Sequence, residues 1–365
     1  MTIVHTESSA GWGGQEIRIL TEARGMLERG HQLTIVAPPE TAIAQAAIRM
    51  QIPLAPLAIR RKRLADLAAV RQWLATHCAH IDVLNTHSST DSWLTALACA
   101  TLRYAPPIVR TRHVSTTINS SAATHWLYGR AKHIVTTGHV LRRQVAQQAG
   151  IPQDRLTSVP TGIDLARFLP ADAAAARRRL GLPERKTLGI VATLRTWKGH
   201  EYLFEAIALD RKQWQDWSVV VVGDGPHRPQ LEARLRALGL DRAVQLVGNK
   251  DDVVPWFQSL DIFTLPSYGE EGVPQSIMQA MACGIPVVST PIGAIAEAVD
   301  HELTGLLVAP RSAAALAIGL ARLRDDAAMR AQFGSRGRAR AVRDFAMGLM
   351  LDRMEAVFQR AVGMK

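Results

Sequence analysis

Short runs of β-branched and apolar residues alternate along this chain with longer stretches whose apolar positions recur every three or four residues. Thr2–His5, Leu33–Ala37, Asp82–Thr86, Pro107–Thr111 and His133–Thr137 read as strands. A Gly-containing loop at 8–14 and a helix over Gln15–Glu28, stopped by Gly30, fill the first interval. The series restarts at Leu188–Ala192 and continues through Ser218–Val222, Val244–Val247, Ile262–Leu265, Pro286–Ser289 and Leu306–Val308. These runs are continuously apolar and bounded by Gly, Asp or Pro, as strands covered on both faces are. Strands separated by helices make βαβ units and a parallel sheet. The pattern thus predicts an α/β chain of two doubly wound domains, 1–170 and 171–345, with the boundary inside 165–187. Beyond about residue 312 it is helical, ending in a helix within 346–365. Ligands of such folds sit outside the carboxyl ends of the strands, and two such domains are expected to leave a cleft between them.

Composition narrows the class. The 365 residues are 47% hydrophobic and 21% charged, which is globular and long enough for two cores at roughly 100–200 residues each. No apolar run approaches the ~18 residues of a membrane-spanning helix. The opening MTIVHTESS lacks the basic start and apolar core of a signal peptide. Cys78, Cys99 and Cys283 are odd in number, far apart and without CxxC spacing, so neither a disulfide framework nor a zinc site is indicated. A cytoplasmic protein is expected.

The charge is uneven. The net formal charge is +11; residues 1–170 hold 18 basic and 10 acidic side chains, a net +8, and residues 171–365 hold 25 and 22, a net +3. The densest cluster, Arg60-Arg61-Lys62-Arg63, leads into the apolar-patterned stretch Leu64–Leu74. A basic entry to an amphipathic helix is a candidate contact for an anionic membrane surface, with peripheral attachment to the inner face of the cytoplasmic membrane. The plain alternative is a solvated loop before a surface helix. Nucleic acid is not expected: aromatic content is 5%, and no RNP, zinc-finger or KH signature accompanies the charge.

Three segments carry candidate chemistry. Gly11-Trp12-Gly13-Gly14 lies between the first strand and the first helix, where backbone N–H groups and the helix dipole favour an anion. Its spacing is not GxGxxG and no acid closes the second strand, which counts against a dinucleotide site. In the second segment, Pro266–Val288, a strand ends at Pro266, an acidic loop carries Glu270, Glu271 and Gly272, and a helix begins near Pro274 and ends at Gly284. Amides at that helix start suit an anion, and Glu271 beside them suits hydroxyls, a pairing that fits a nucleotide sugar. Gln279 lies further along the same helix, within reach of another hydroxyl. The alternative is that Glu270 and Glu271 only complement the helix dipole. Third, Arg195 and Lys198 follow the first strand of the second domain and together can neutralise a diphosphate. His113 and, more weakly, His87 end strands of the first domain. His77 and His80 read as a surface pair rather than metal ligands, and no Asp-x-Asp triplet occurs to hold a metal–diphosphate clamp.

These segments, in order, resemble a family 4 (group 1) retaining glycosyltransferase of the GT-B fold, bacterial cell-envelope type, over nearly the whole chain. The likeness rests on Gly13-Gly14, Gly30-His31, Val159–Asp164, Lys198-Gly199, Val222–Pro226, Asp261–Ser267, Glu271-Gly272 and Ala280–Val287. It implies a hexose-type sugar moved from a nucleotide diphosphate donor, UDP by preference, to a cell-envelope glycolipid, oligosaccharide or polysaccharide acceptor such as a lipopolysaccharide core. It also implies retention at the anomeric carbon and no metal or other cofactor. By position, Glu271 begins the family's glutamate-x7-glutamate motif, with Gln279 in place of the second acid. Gly272, Val273, Pro274 and Gln275 would line the donor's diphosphate, Gly13 and Gly14 would approach the donor from the first domain, and His113 matches the histidine that reaches the donor sugar. Lys198 matches the family lysine, whereas Thr193 stands where an arginine is usual, leaving Arg195 to supply the second cation. The last helix is expected to pack back on the first domain. Two rival readings are a nucleotide-sugar epimerase of the same fold, which the Lys198 and Glu271 segments disfavour, and a non-catalytic sugar-nucleotide-binding regulator, for which Gln279 and Thr193 speak.

Overall fold

The computed structural model describes residues 1–114, 116–269 and 271–364, and these divide into two units: Met1–Gly162 together with the chain from Gly348 onward, and Ile163–Met347. In the first unit β1 (Thr2–Thr6), β2 (Gln32–Ala37), β3 (Leu54–Pro56), β4 (Val83–Thr86), β5 (Ile108–Arg112), β6 (Ala131–Thr136) and β7 (Leu156–Ser158) form a sheet in the order 3-2-1-4-5-6-7. Its neighbouring strands are parallel, and its order reverses between β1 and β4. The crossovers carry α1 (Gly14–Glu28), α2 (Ala42–Arg49), α3 (Leu64–His77), α4 (Ser89–Ala100), α5 (Ala122–Arg130) and α6 (His139–Ala149).

The second unit repeats the scheme. Strands β8 (Thr187–Val191), β9 (Ser218–Val222), β10 (Val244–Gly248), β11 (Ile262–Leu265), β12 (Val287–Ser289) and β13 (Gly305–Leu307) lie in the order 10-9-8-11-12-13, again parallel, with the reversal between β8 and β11. Its helices are α7 (Ala173–Leu180), α8 (His200–Leu209), α9 (Arg228–Ala237), α10 (Val254–Gln258), α11 (Gln275–Ala282), α12 (Ala313–Asp325) and α13 (Ala327–Asp344). Two parallel-sheet α/β units are what the apolar runs predict, and the strands lie within a residue or two of those runs. β3 and β7 were not among them: each is a three-residue edge strand, too short to show a period.

Local chemistry explains the ends of several elements. Asp172 caps α7 by accepting the Ala174 N–H, Ser312 caps α12 through Ala315, and Asp326 caps α13 through Met329. Beside the segment that leaves the first unit, Ile163 donates to the Phe345 carbonyl (2.7 Å) and accepts from the Met347 N–H (3.0 Å), so the outgoing and returning strands of chain are tied side by side.

The returning chain forms α14 (Met347–Val362), which packs within the first unit. Its buried face is Met350, Leu351, Met354, Val357, Phe358 and Ala361, a helical stripe that completes a core which α1 alone would leave open. Leu351 lies against Gly25 of α1, the Phe358 ring stands edge-on to His5 with centroids 6.3 Å apart, and Arg29 binds Asp352 (2.7 Å) and Glu355 (3.0 Å). The Phe358 side chain is fully buried. Phe358→Ala is therefore expected to cost the first unit about 3–5 kcal/mol, read as a lower urea midpoint for that unit. An unchanged midpoint would mean that α14 is not part of its core.

Candidate functional site

In both units the polar side chains gather where strands end beside the sheet's reversal. In the second unit the loop after β11 carries Glu271, which is 9% exposed. Lys198, from the turn after β8, places Nζ 2.7 Å from its Oε1, and Ser267 Oγ donates to the same oxygen at 2.8 Å. Backbone geometry fixes both partners. Lys198 is followed by Gly199 at φ +76, where a Cβ would run into the Pro266 carbonyl. Behind Glu271, Gly293 at φ +59 lies so close that a Cβ would strike the Glu271 backbone, and Ala294 N–H donates to the Glu271 carbonyl at 2.9 Å.

Arg195 is placed differently from Lys198. Its guanidinium lies over the Trp197 ring at 5.3 Å, it is exposed, and among the described residues neither a hydrogen bond nor an ion pair of its side chain is found. It thus rests on the Trp197 ring, whereas Lys198 is engaged by Glu271. Thr193 is exposed.

Pro274 is the residue that caps α11, one position before the helix. It has no N–H, so the run Val273–Gln275 carries two backbone donors rather than the three its length suggests. Val273 and Pro274 are buried, Gly272, Gln275 and Gln279 half-buried, and Glu270 lies outside the described residues.

In the first unit, Gly13 caps α1 in an extended conformation and Gly14 is its first residue; Gly11 and Gly14 are exposed and Gly13 half-buried. A carboxylate that the sequence did not single out stands next to them. Glu7, just past β1, is fully buried and accepts from Ser9 N–H (2.6 Å), Gln15 Nε2 (2.5 Å) and the Ser88 hydroxyl. Asp91 takes Thr6 and Ser8 hydroxyls and the N–H groups of His87 and Ser88, at 2.8–3.2 Å, forming a capping box with Ser88 at the start of α4. Burial, then the Asp91 charge, raises the Glu7 carboxyl well above the usual range; burial raises Asp91, against the pull of its donors. With its oxygens taken up, Glu7 is a scaffold for the glycine loop rather than an open nucleophile.

His113, past β5, does not stand alone. Its Nε2 lies 2.9 Å from His87 Nδ1, and His87 Nε2 lies 2.7 Å from Nδ1 of His5 on β1. Behind His5 stand Glu22, 3.7 Å from His5 Nε2, and Arg18, 3.6 Å from Glu22, all three fully buried. Burial, followed by the Arg18 charge, drives His5 down to about 3; burial also lowers His87 and His113 well below the ordinary imidazole value. The three rings are neutral at pH 7.

Arg60, Arg61, Lys62 and Arg63 are exposed at the start of α3. Arg60 pairs with Glu40 at 3.1 Å, and Lys62 lies 5.7 Å from the Trp93 ring centroid. The amphipathic reading of the following helix needs correction. Its apolar stripe, Val70 and Leu74, is buried in the core, and only Leu64, 85% exposed, adjoins the basic turn. Among the described residues no helix is long and apolar enough to cross a membrane. His77 is exposed, its Nδ1 on the Trp73 carbonyl. His5 and Glu7 lie at the end of the first strand in sequence, whereas Glu22 on α1 and Asp91 on α4 carry no local signal that joins them to it.

Comparison with known proteins bears on both units. The family described as Glycosyltransferase Family 4 matches residues 12–167, and that described as Glycosyl transferases group 1 matches residues 185–326. The 2-deoxystreptamine glucosyltransferase of Streptomyces kanamyceticus is 28% identical over 349 residues, covering 86% of this chain and 90% of its own. The lipopolysaccharide core biosynthesis mannosyltransferase LpsB of Rhizobium meliloti is 32% identical over 212 residues, 56% of this chain and 60% of its own. The solved structure of Anabaena HepE in complex with UDP has the same fold, with a TM-score of 0.87 and 21% identity over 99% of this chain and 100% of that one.

The close packing of Gly293 against the Glu271 backbone yields a direct test. Gly293→Ala must push the Glu271 backbone aside, and is expected to lower that unit's stability by about 1–3 kcal/mol, read as a drop in the thermal midpoint. An unchanged midpoint would show that the Glu271 loop is not held from behind.

Proposed function

This chain belongs to the group 1, family 4 glycosyltransferases, and from that premise we propose that it moves a hexose-type sugar from a UDP-sugar to a cell-envelope glycolipid or polysaccharide such as a lipopolysaccharide core, with retention at the anomeric carbon. The observation that carries the donor reading is the Lys198–Glu271 pair beside the start of α11. In the free protein each charge neutralises the other. An incoming diphosphate offers Lys198 a doubly charged partner, and Glu271, released from the ammonium, accepts hydrogen bonds from the sugar hydroxyls. Arg195 swings from Trp197 as the second cation, the amides of Val273 and Gln275 add donors, and Gln279 takes the ribose. Gly13, Gly14 and Gly272 allow close backbone approach to the donor.

Positive charge fixed before the reaction favours the transition state, in which the diphosphate departs with growing negative charge. These side chains supply that charge without a metal ion, in keeping with a sequence that has no Asp-x-Asp triplet. His113 hydrogen-bonds to the reacting sugar. The acceptor reading is supported by the basic first unit and by the likeness to LpsB, a lipopolysaccharide core mannosyltransferase. Arg61, Lys62, Arg63 and Leu64, with Arg60 partly spent on Glu40, form the contact with an anionic membrane, so the protein acts at the inner face of the cytoplasmic membrane.

Thermal melts with a panel of nucleotide sugars test the donor. A UDP-sugar at 100 times its Kd is expected to stabilise by about 2.7 kcal/mol, and Lys198→Ala and Glu271→Ala to reduce the shift. No shift with any donor, or an undiminished shift in both variants, would overturn the assignment. Pelleting with anionic vesicles tests the surface. Replacing Arg61, Lys62 and Arg63 by Ala is expected to remove about 1 kcal/mol of binding each at low salt. Binding indifferent to salt and to these changes would refute it.

A further inference from the structure

Three histidines in hydrogen-bonded series, ending at a buried carboxylate, are more than a packing arrangement. A neutral imidazole has one N–H and one lone pair, so each ring that accepts on one nitrogen must donate from the other. Between His5 and His87 (2.7 Å) and between His87 and His113 (2.9 Å) one nitrogen of each pair must carry the proton. The direction of the whole series is therefore set at one end. The inner end is His5 Nε2, buried without a hydrogen bond and 3.7 Å from Glu22 Oε1. The outer end is His113 Nδ1, for which no partner is found among the described residues. His113 itself is half-buried.

We propose that Glu22, His5 and His87 form a tautomer-setting wire for His113: the proton on Glu22 decides whether His113 Nδ1 offers a sugar hydroxyl a lone pair or an N–H. With Glu22 ionised, His5 directs Nε2–H to the carboxylate, His87 directs Nε2–H to His5, and His113 directs Nε2–H to His87. Its Nδ1 is then a bare acceptor. With Glu22 protonated, the carboxyl donates to His5 Nε2, and each ring in turn carries its hydrogen on Nδ1. His113 is then a donor. The two states differ by one proton, taken up at His113 Nδ1 and delivered to Glu22 by one hydrogen shift at each link. No ring becomes charged before or after.

The surroundings favour this behaviour. Glu22 faces Arg18 on its own helix, His5 on β1 and Asn85 on β4, whose amide lies 3.5 Å from Oε1 and is held by the Thr111 hydroxyl of β5. From α14 the facing groups are Met354, against Arg18, and Phe358, against His5, neither of which titrates. Near His87, Asp91 accepts the backbone N–H and itself feels Glu7 and Arg110, while the Arg18 charge reaches the His87 ring. Burial pushes the Glu22 carboxyl up to about 7, against the pull of Arg18 and Asn85, so its proton exchanges near neutral pH while the imidazoles stay uncharged. Glu22, His5 and His87 act here as positioning residues. Their effect on transfer rests on the His113 contact proposed above; the wire itself does not.

The test is a pH titration of the whole protein with 15N-labelled histidine, reading the two ring nitrogens of each imidazole by NMR between pH 5.5 and 8.5. His5, His87 and His113 are expected to switch together from Nδ1–H to Nε2–H as pH rises. A single midpoint near that of Glu22 is expected, with the tautomer ratio changing about tenfold per pH unit as one proton requires. Glu22→Gln, whose amide donates to His5 Nε2, is expected to hold all three at Nδ1–H throughout and to remove the matching step from the pH profile of kcat. A His113 that keeps one tautomer in the unmodified protein, switches apart from His87, or becomes imidazolium above pH 6 would overturn the wire, even if the variant does not fold. A concerted switch alongside unchanged transfer by His113→Ala would leave the wire standing and remove the sugar contact instead.

Discussion

Parallel pairing sends every strand of a sheet the same way, so the carboxyl ends and the loops that leave them gather along one edge. Both candidate clusters depend on that constraint. Where the strand order reverses, adjacent loops depart in opposite directions and leave room for side chains rather than for a crossover helix. Glu7 and His87 converge at the reversal between β1 and β4, and Lys198 and Glu271 at the one between β8 and β11. Both sheets, one of seven strands and one of six, contain such a reversal, and the residues beside it differ: carboxylates and imidazoles in the first unit, a lysine–glutamate pair in the second.

The first unit spends stability at this edge. Arg18, Glu22 and His5 are fully buried, and the Nε of Arg18 and the Oε2 of Glu22 have no hydrogen-bond partner. Taking such groups from water is costly unless they are paired, and replacing a buried ion pair by apolar side chains is often neutral or stabilising. The Arg18 guanidinium is held by the Val159 carbonyl and lies against Met354 of α14. The last helix thus closes the polar cluster off from solvent. A core this charged is hard to justify as packing, and easier as a device for holding three imidazoles neutral and aligned.

The second unit solves a different problem. Here an ion pair is fixed by its neighbours. Glu271 holds Lys198 at 2.7 Å, Ser267 shares the carboxylate, and Gly199 and Gly293 let backbones approach where a side chain would collide. Preorganisation of this kind lowers the ordering cost at the moment of binding. Arg195, lying on an exposed indole, has no such carboxylate partner among the described residues.

Runs such as Ser218–Val222 and Ile262–Leu265 determined the fold class by themselves, because a strand buried on both faces needs an unbroken apolar run and the intervening helical periodicity leaves only a parallel sheet. The collinear motifs around Lys198 and Glu271 likewise drew attention to two segments that the structure brings together, since a glycine-flanked strand end followed by a helix start is local in sequence. The first unit's cluster was not local. His113 and, more weakly, His87 stood out as strand-end histidines, but nothing in the sequence joined them to each other, to His5 on β1 or to Glu22 on α1. Nor did the basic stretch reveal that Val70 and Leu74 of its helix face inward, which removes the apolar face it seemed to offer. Sequence determined the longer strands and helices, though not the short edge strands β3 and β7; only the tertiary structure decided which side chains meet, because hydrogen-bond partners are chosen by strand order across the sheet and not by distance along the chain.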